Sequence, residues 1–288
     1  GNTLINGPHQ GSWIHTAQNE DWFIHFQSRK AYGRIVHLQP LVWQDDWPVI
    51  GNDADNDGVG EPVYVHQKPK TSKPGSVKTQ PTTDEFNDQR YGLQWQWNAN
   101  QQDNWFSWEA KSHIRLHAQM KMLETGNNLW MTPNLMLQKL PAQQFQVRMR
   151  MTVPSNTFAL ESGLLLFGED YAWAGVKAIS GKPHLVYVQC RNARTGCDES
   201  VHDYGPVKHE TIEFRYIMAS DSTAVFGYRY DDTEPFTVVG EQFIARCGRW
   251  VGAKTGIFAV TNPLIKVDTG SQNYVDVDYV RFIPMHRK

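Results

Sequence analysis

The chain has 288 residues, a net charge of −2 and 20% charged residues. This composition excludes an electrostatic nucleic-acid binder, because such proteins carry a basic patch or stripe. Its 40% hydrophobic residues are enough to build an ordinary core and exclude a disordered acidic tail. Apolar runs such as 163–167 are far shorter than the ~20 residues of a membrane span, so we expect none.

The residue types favour an all-β protein. Aromatic residues make up 12% of the chain, and 22 glycines and 15 prolines supply many turn positions. Aromatic residues are enriched in strands, and short runs separated by turn residues are typical of β-structure. A length of 288 residues corresponds to roughly two domains of about 150 residues each, or to one large all-β domain.

The first fifty residues predict four short strands. Strand-like runs occupy 13–16, 22–26 and 33–40, the last one ending at Pro40, and a hairpin follows from 41 to 50 with its turn at 44–46. Four strands are too few to bury a core by themselves and need a neighbouring layer. A single four-stranded sheet of this kind looks like one blade of a β-propeller.

Three features of this region carry candidate chemistry. His9 lies in a glycine-flanked turn, where an imidazole can face a metal or ligand, although a solvated loop histidine has the same pattern. Arg34 opens a strand and can hold a hydroxyl or carboxylate with its fork of donors, although surface arginines are common. The D-x-D-x-D-G run at 53–58 begins like a calcium loop. Tyr64 occupies the twelfth position and no helix flanks the run, so a plain acidic turn is equally consistent.

The rest of the chain divides into a linker and a second β domain. Residues 66–83 contain Lys, Pro, Ser and Thr and almost nothing apolar, which predicts a linker or a surface strap. From 84 to 288 many short strands are separated by turn residues, as in a β-sandwich. We therefore expect a blade at 1–65, a linker at 66–83 and a sandwich at 84–288.

Three residue groups in the second domain have alternative interpretations. Trp95, Trp97, Trp105 and Trp108, with asparagines between them, suit either a sugar-binding site or core packing, and the alternation 95–97 favours the core. Cys190 and Cys197 are spaced for a local disulfide or are free thiols, and Cys247 is expected to be a small buried side chain. Asp84 and Asp278, near the two ends of the sandwich sequence, would meet on adjacent strands and bind structural calcium, although paired aspartates at sheet ends are often merely solvated.

An ordered series of motifs resembles one family. The segments 7–11, 22–27, 31–40 and 43–51, followed by 84–86, 92–98, 163–168, 248–254 and 277–282, closely resemble the C-terminal part of glycoside hydrolase family 43. This family includes β-xylosidases and α-L-arabinofuranosidases. The resemblance implies the last blade of a five-bladed β-propeller followed by a concanavalin-like β-sandwich, or jelly roll.

The resemblance also implies roles for individual residues. His9 matches the family histidine near the propeller axis that often helps to hold a central metal ion, usually calcium. Arg34 matches the family arginine that hydrogen-bonds the sugar where cleavage occurs. The family's general base, pKa-modulating Asp and general-acid Glu belong to earlier blades and match no residue of this chain. No catalytic residue is therefore assigned, and we expect the chain to be inactive alone.

The function implied by the resemblance is that of a parent enzyme. We expect an exo-acting, inverting β-xylosidase or α-L-arabinofuranosidase, with a pentose-containing oligosaccharide and the remaining propeller blades as partners. The chain begins with neither Met nor a signal-peptide pattern, which fits a removed signal peptide or a missing upstream segment. By analogy the enzyme is secreted or periplasmic. Alternatively, the sandwich is a carbohydrate-binding module or a purely structural brace.

Overall fold

The chain folds into two compact all-β units, Gly1–Thr79 and Gln80–Lys288. A computed structural model describes residues 3–7, 9–72, 75–76, 78–110, 112–265 and 273–285. Within this described part, the helical elements are three short 3₁₀ turns, Lys30–Tyr32, Asp103–Trp105 and Ala193–Thr195. The described residues contain no helix that is long and apolar enough to cross a bilayer. The predicted all-β class is confirmed.

The first unit is a four-stranded antiparallel sheet in the order β1-β2-β3-β4. Its strands are β1 (His9–His15), β2 (Asp21–Ser28), β3 (Arg34–Gln44) and β4 (Trp47–Ile50). The hairpin between β3 and β4 turns at Asp45 and Asp46, both at positive φ (49° and 64°). This is the backbone of a two-residue hairpin loop, whose twist matches that of the strands.

The third strand runs through Pro40, where the sequence predicted its end. The ladder between β3 and β4 stops at Leu41 and Ile50, and the Pro40 carbonyl accepts the next hydrogen bond from Gly51 N–H. The N–H and C=O of a residue in an antiparallel strand point to the same side. The N–H that proline lacks would therefore point to Gly51, the first residue after β4, so proline costs at most one hydrogen bond at the end of the ladder.

The second unit is a sandwich of two sheets. Its strands are β5 (Gln96–Trp97), β6 (Phe106–Ala110), β7 (His113–His117), β8 (Gln119–Met120), β9 (Met136–Lys139), β10 (Phe145–Thr152), β11 (Leu160–Phe167), β12 (Tyr171–Ile179), β13 (Lys182–Cys190), β14 (Ser200–Pro206), β15 (Thr211–Met218), β16 (Thr223–Arg229), β17 (Thr237–Ile244), β18 (Lys254–Thr261) and β19 (Tyr274–Pro284). One sheet has the order β17-β16-β15-β10-β19-β7-β6. The other has the order β14-β13-β12-β11-β18-β9-β5, and β8 pairs with β18.

Both faces of the second sheet are covered. All eight residues of β11 are buried, although successive side chains of a strand point to opposite faces. Ser162 contacts Met151 of the facing sheet, so the even-numbered side chains of β11 point between the sheets. Leu165 belongs to the opposite face and packs in a buried cluster with Leu129 and Trp173. The segment that contains Leu129 therefore closes the outer face of this sheet.

Trp95, Trp97 and Trp105 pack with neighbouring side chains at the start of the second unit. Trp95 and Trp105 are buried, and the ring of Trp97 lies edge-on to Trp105 at 5.3 Å and stacks on Phe106 at 5.7 Å. The Trp97 indole N–H donates to Gln101 and to Tyr91. The packing interpretation of this run is confirmed for Trp95 and Trp105.

All three cysteines are free thiols. Cys190 is buried, and burial raises the pKa of its thiol to about 12, so it is an inert core side chain. Cys197 is exposed, and its carbonyl oxygen accepts a hydrogen bond from the Cys190 thiol. The expectation of a buried Cys247 is wrong, because this side chain is exposed in the connection between β17 and β18.

Candidate functional site

The blade brings His9 and Arg34 onto one aromatic ring. His9 pairs directly with Phe26 across β1 and β2, and Arg34 pairs with Ser28, two residues further along β2. The His9 ring stacks on Phe26 at 5.7 Å, and the Arg34 guanidinium lies 4.6 Å from the centre of the same ring. The two residues that the sequence singled out thus form one surface cluster with Phe26.

This cluster offers three kinds of contact to a small polar ligand. The Arg34 guanidinium has a planar fork of N–H donors that suits hydroxyl or carboxylate oxygens. The half-buried Phe26 ring supplies an apolar face, and the exposed His9 imidazole can donate, accept or ligate a metal. Sequence reasoning missed Phe26. The signal was the hairpin register, because diagonal neighbours on adjacent strands lie within reach of aromatic side chains.

The opposite face of the blade holds a cavity of about 350 Å³. Phe23, His25 and Gln39 line it together with residues 3–7 and 59–62. The Gln39 amide oxygen accepts from Val63 N–H at 2.7 Å, and His25 stacks on His37 at 5.3 Å. Burial, with the nearby charges of His25 and Arg29, lowers the pKa of His37. This face is therefore partly covered by the chain itself, and it disfavours the charged form of His37.

One group of carboxylates converges in the described residues. Asp53, Asp55 and Asp57 place ligand atoms within 4.8 Å of one another, at the calcium-like run found in the sequence. Asp53 accepts from the backbone N–H groups of Asp57 and Gly58, at 3.1 and 2.9 Å. The carboxylates already cap their own turn, as an acidic turn does without a metal ion.

Asp84 fastens the start of the sandwich to its last strand. Its backbone pairs with Val280 of β19 at 2.8 and 2.9 Å, two residues beyond the exposed Asp278. The Asp84 carboxylate accepts from Phe86 N–H at 3.0 Å, from Gly92 N–H at 2.9 Å and from the Trp95 indole at 2.9 Å. The structure thus brings Asp84 and Asp278 to neighbouring segments, and three donors already occupy the Asp84 carboxylate.

A buried ionic network lies on the covered outer face of the second sheet. Lys121, which is fully buried, places its amine 2.6 Å from Glu161 and 2.7 Å from Glu199. Lys177 contacts the other oxygen of Glu161 at 2.5 Å, and the Tyr171 hydroxyl donates to Glu199 at 2.8 Å. Each buried charge therefore has an opposite charge and a hydrogen-bond partner, which is the condition for burying charges at all.

Comparison with known proteins identifies the family. Residues 83–283 match the model of the β-xylosidase C-terminal concanavalin A-like domain of glycoside hydrolase family 43. The chain is 31% identical over 260 residues to a protein from Xylanibacter ruminicola, covering 89% of this chain and 45% of that protein. It is 28% identical over 299 residues to the β-xylosidase of Formosa agariphila, covering 95% and 47%.

Solved structures show the same fold. A xylan β-1,4-xylosidase from Bacillus halodurans superposes with a TM-score of 0.78 at 18% identity, covering 96% of this chain and 53% of that one. A bifunctional family 43 protein from Bacteroides eggerthii gives 0.75 at 22% identity, covering 98% and 35%. The chain spans about half the length of the curated relatives it matches. It belongs to glycoside hydrolase family 43, as a propeller-type blade followed by the β-xylosidase C-terminal concanavalin A-like domain.

Proposed function

We propose that these residues are the C-terminal portion of an exo-acting, inverting β-xylosidase or α-L-arabinofuranosidase that acts on hemicellulose. The observation that carries this proposal is the shared position of Arg34 and His9 on the Phe26 ring. A sugar has polar hydroxyl edges and an apolar ring face, so a guanidinium beside an aromatic ring matches both. The β-xylosidase relatives support a pentose-containing oligosaccharide as the substrate.

In this proposal the chain positions the sugar and does not cleave it. Inversion needs a general acid and a general base about 6.5–9.5 Å apart on opposite sides of the scissile bond, with water beside the base. We assign both carboxylates to the rest of the parent enzyme. Arg34 donates hydrogen bonds to sugar hydroxyls and holds the ring in place between those carboxylates.

The blade also fits a partner on each face. Apolar side chains are exposed at Val36 and Val42 of β3 and, on the other face of the sheet, at Trp43. Trp47 of β4 is 72% exposed. Exposed apolar patches mark interaction surfaces, and in a propeller each blade packs between two others. We propose that the remaining blades of the parent enzyme cover these side chains.

Calcium is part of the proposal at two places. The exposed His9 imidazole fits a metal ligand at the propeller axis. Calcium prefers oxygen ligands, so His9 would act with oxygens from other blades, and the ion would supply fixed positive charge near the sugar. Asp84 and Asp278 are proposed for structural calcium in the sandwich. We also propose a secreted or periplasmic compartment, by analogy with hemicellulose-degrading enzymes.

The 288-residue chain should show no glycosidase activity by itself. The reason is that the proposal assigns the acid and base to other residues, and without them no proton transfer assists bond cleavage. The measurement is release of p-nitrophenol from its β-D-xylopyranoside and its α-L-arabinofuranoside, with the parent enzyme as the positive control. The parent's preference between the two substrates identifies its specificity. Turnover by the purified chain would contradict the assignment.

Arg34→Ala in the parent enzyme should lower kcat/KM by about 10–150-fold. This range corresponds to the 1.5–3 kcal/mol of a hydrogen bond to a charged group. Arg34→Lys should recover little, because an ammonium lacks the planar fork. The matched control is Arg29→Ala, an exposed arginine of the same blade, which should leave kcat/KM within twofold. An unchanged kcat/KM for Arg34→Ala would remove Arg34 from the sugar site.

A further inference from the structure

The sandwich contains an open cleft of about 370 Å³ at one edge. It lies where β13 and β14 of one sheet approach β17 of the other. Its polar and aromatic lining comprises Tyr187, Gln189, Ser200, His202, Tyr204 and Glu241. The volume lies within the range of small-ligand sites, about 300–1,000 Å³. None of these residues takes part in the sugar site proposed on the blade.

The floor of the cleft has hydrogen-bonding atoms without partners. Tyr187 is only 3% exposed, and its hydroxyl is a buried atom with no hydrogen-bond partner among the described residues. The Gln189 amide donates to Glu241 at 3.2 Å, while the buried carbonyl oxygen of Gln189 has no hydrogen-bond partner among the residues that the structure describes. Leaving buried polar atoms unpaired costs about 1–3 kcal/mol each in folded proteins. A ligand with hydroxyl groups would satisfy both atoms.

The wall of the cleft is aromatic and fixed in place. His202 and Tyr204 follow each other at alternate positions of β14, and their rings stack at 4.7 Å. Tyr204 is 40% exposed, and its hydroxyl accepts a hydrogen bond of 2.6 Å from Gly240 N–H. A Cβ atom at Gly240 would lie 2.3 Å from the Tyr187 ring, so only glycine lets β17 approach this closely. The cleft is thus held in shape by the backbone.

We propose that this edge cleft binds a neutral oligosaccharide, independently of the sugar site on the blade. Aromatic rings beside unpaired hydroxyl and amide groups match a sugar, which has apolar ring faces and hydroxyls that both donate and accept. The acidic side chain of the lining is Glu241, and its carboxylate disfavours an acidic ligand. The outer face of the same sheet is closed by the segment around Leu129, so the edge is the open part of this sheet.

Calorimetric titration of the 288-residue chain with xylohexaose and with cellohexaose tests the cleft. We expect saturable binding of at least one sugar, weakened at least tenfold by Tyr204→Ala and by His202→Ala. Both side chains are exposed, so the variants should retain the wild-type melting temperature. Lys182→Met is the matched control, because Lys182 is exposed on β13 outside the cleft, and it should bind with unchanged affinity. Arg34→Ala reports any binding on the blade, which separates this cleft from the blade.

Two results would overturn the proposal. One is no saturable heat from either sugar with the wild-type chain. The other is binding that Arg34→Ala abolishes while Tyr204→Ala and His202→Ala leave it intact, which would place the ligand on the blade. The readout is binding and not hydrolysis, so the activity of the parent enzyme does not enter the result. Failure of the proposed glycosidase function and failure of this cleft are therefore distinguishable.

Discussion

Lys121→Met should lower the free energy of unfolding of the sandwich by about 3–5 kcal/mol, because breaking a buried ion pair leaves an uncompensated charge. Lys121 contacts both Glu161 and Glu199, and all three side chains are almost fully buried. The variant keeps Glu161 paired with Lys177 but leaves Glu199 with only neutral partners, the Tyr171 hydroxyl and the Trp173 indole. Urea unfolding of the chain followed by circular dichroism measures the loss.

The pH dependence of this loss is a second signature. Burial raises the pKa of Glu161, but Lys121 and Lys177 outweigh burial and hold it below 4.5. The stability from this carboxylate is therefore complete above pH 4.5 and is lost as pH falls through the folded pKa. Burial lowers the pKa of Lys121, yet Glu199 and Glu161 raise it above 10.5. Its contribution is complete below pH 10.5 and is lost as pH rises through the folded pKa.

The difference between wild type and Lys121→Met should therefore be larger at pH 7 than at pH 3. Lys182→Met is the matched control, since Lys182 is exposed at the start of β13 and its substitution should change stability by less than about 0.5 kcal/mol. If Lys121→Met matches this control at pH 7, the network contributes no net stability. A loss that is equal at pH 7 and pH 3 would point to packing of the lysine stem and not to its charge.

The strands were predictable because their pattern is local. Apolar and polar residues alternate at 145–151 and at 211–216, and these residues lie in β10, Phe145–Thr152, and in β15, Thr211–Met218. Four strands were expected in the blade and four are present in its described residues. Pro40 does not end β3 as predicted, because it lies opposite Gly51, the first residue after β4. Where a proline interrupts pairing depends on the length of the neighbouring strand, which the local pattern does not contain.

The candidate site was only partly predictable. His9 and Arg34 each had an ordinary interpretation as surface residues, and the family resemblance gave them roles before any geometry did. Their meeting on Phe26 follows from the hairpin register, which the sequence pattern leaves open. The edge cleft is even harder to predict from the sequence, because β14 and β17 belong to different sheets and only the packing of the two sheets brings them together.

The buried ionic network could not be predicted from the local sequence pattern either. Lys121, Glu161 and Glu199 are separated by about forty residues each along the chain and share no motif. Glu161 and Lys177 do face each other across β11 and β12, so a prediction of the strand register would have paired these two residues. Lys121 and Glu199 lie outside the strands, and their burial against Glu161 depends on the covering of the outer sheet face. Such clusters are specified by tertiary packing and not by local sequence.

Asp84→Ala should lower the free energy of unfolding by about 2–4 kcal/mol in the presence of chelator, and by at least as much with calcium. Its carboxylate accepts three hydrogen bonds, from Phe86, Gly92 and Trp95. A hydrogen bond to a charged group contributes about 1.5–3 kcal/mol to the stability of a folded protein. Removing the acceptor leaves these N–H donors unpaired whether or not a metal binds. Asp88→Ala is the matched control, because Asp88 is exposed and its ion pair with Arg90 is long, 3.7 Å.

The calcium prediction for the sandwich is decided in the same experiment by Asp278→Ala. If Asp84 and Asp278 share a calcium ion, chelation lowers the melting temperature of the wild type, and Asp278→Ala removes this sensitivity. If chelation leaves the wild-type melting temperature unchanged, the pair holds no structural calcium. Asp84 then acts through its hydrogen bonds alone, tying the beginning of the sandwich to β19. A loss below about 0.5 kcal/mol for Asp84→Ala would contradict this anchoring role as well.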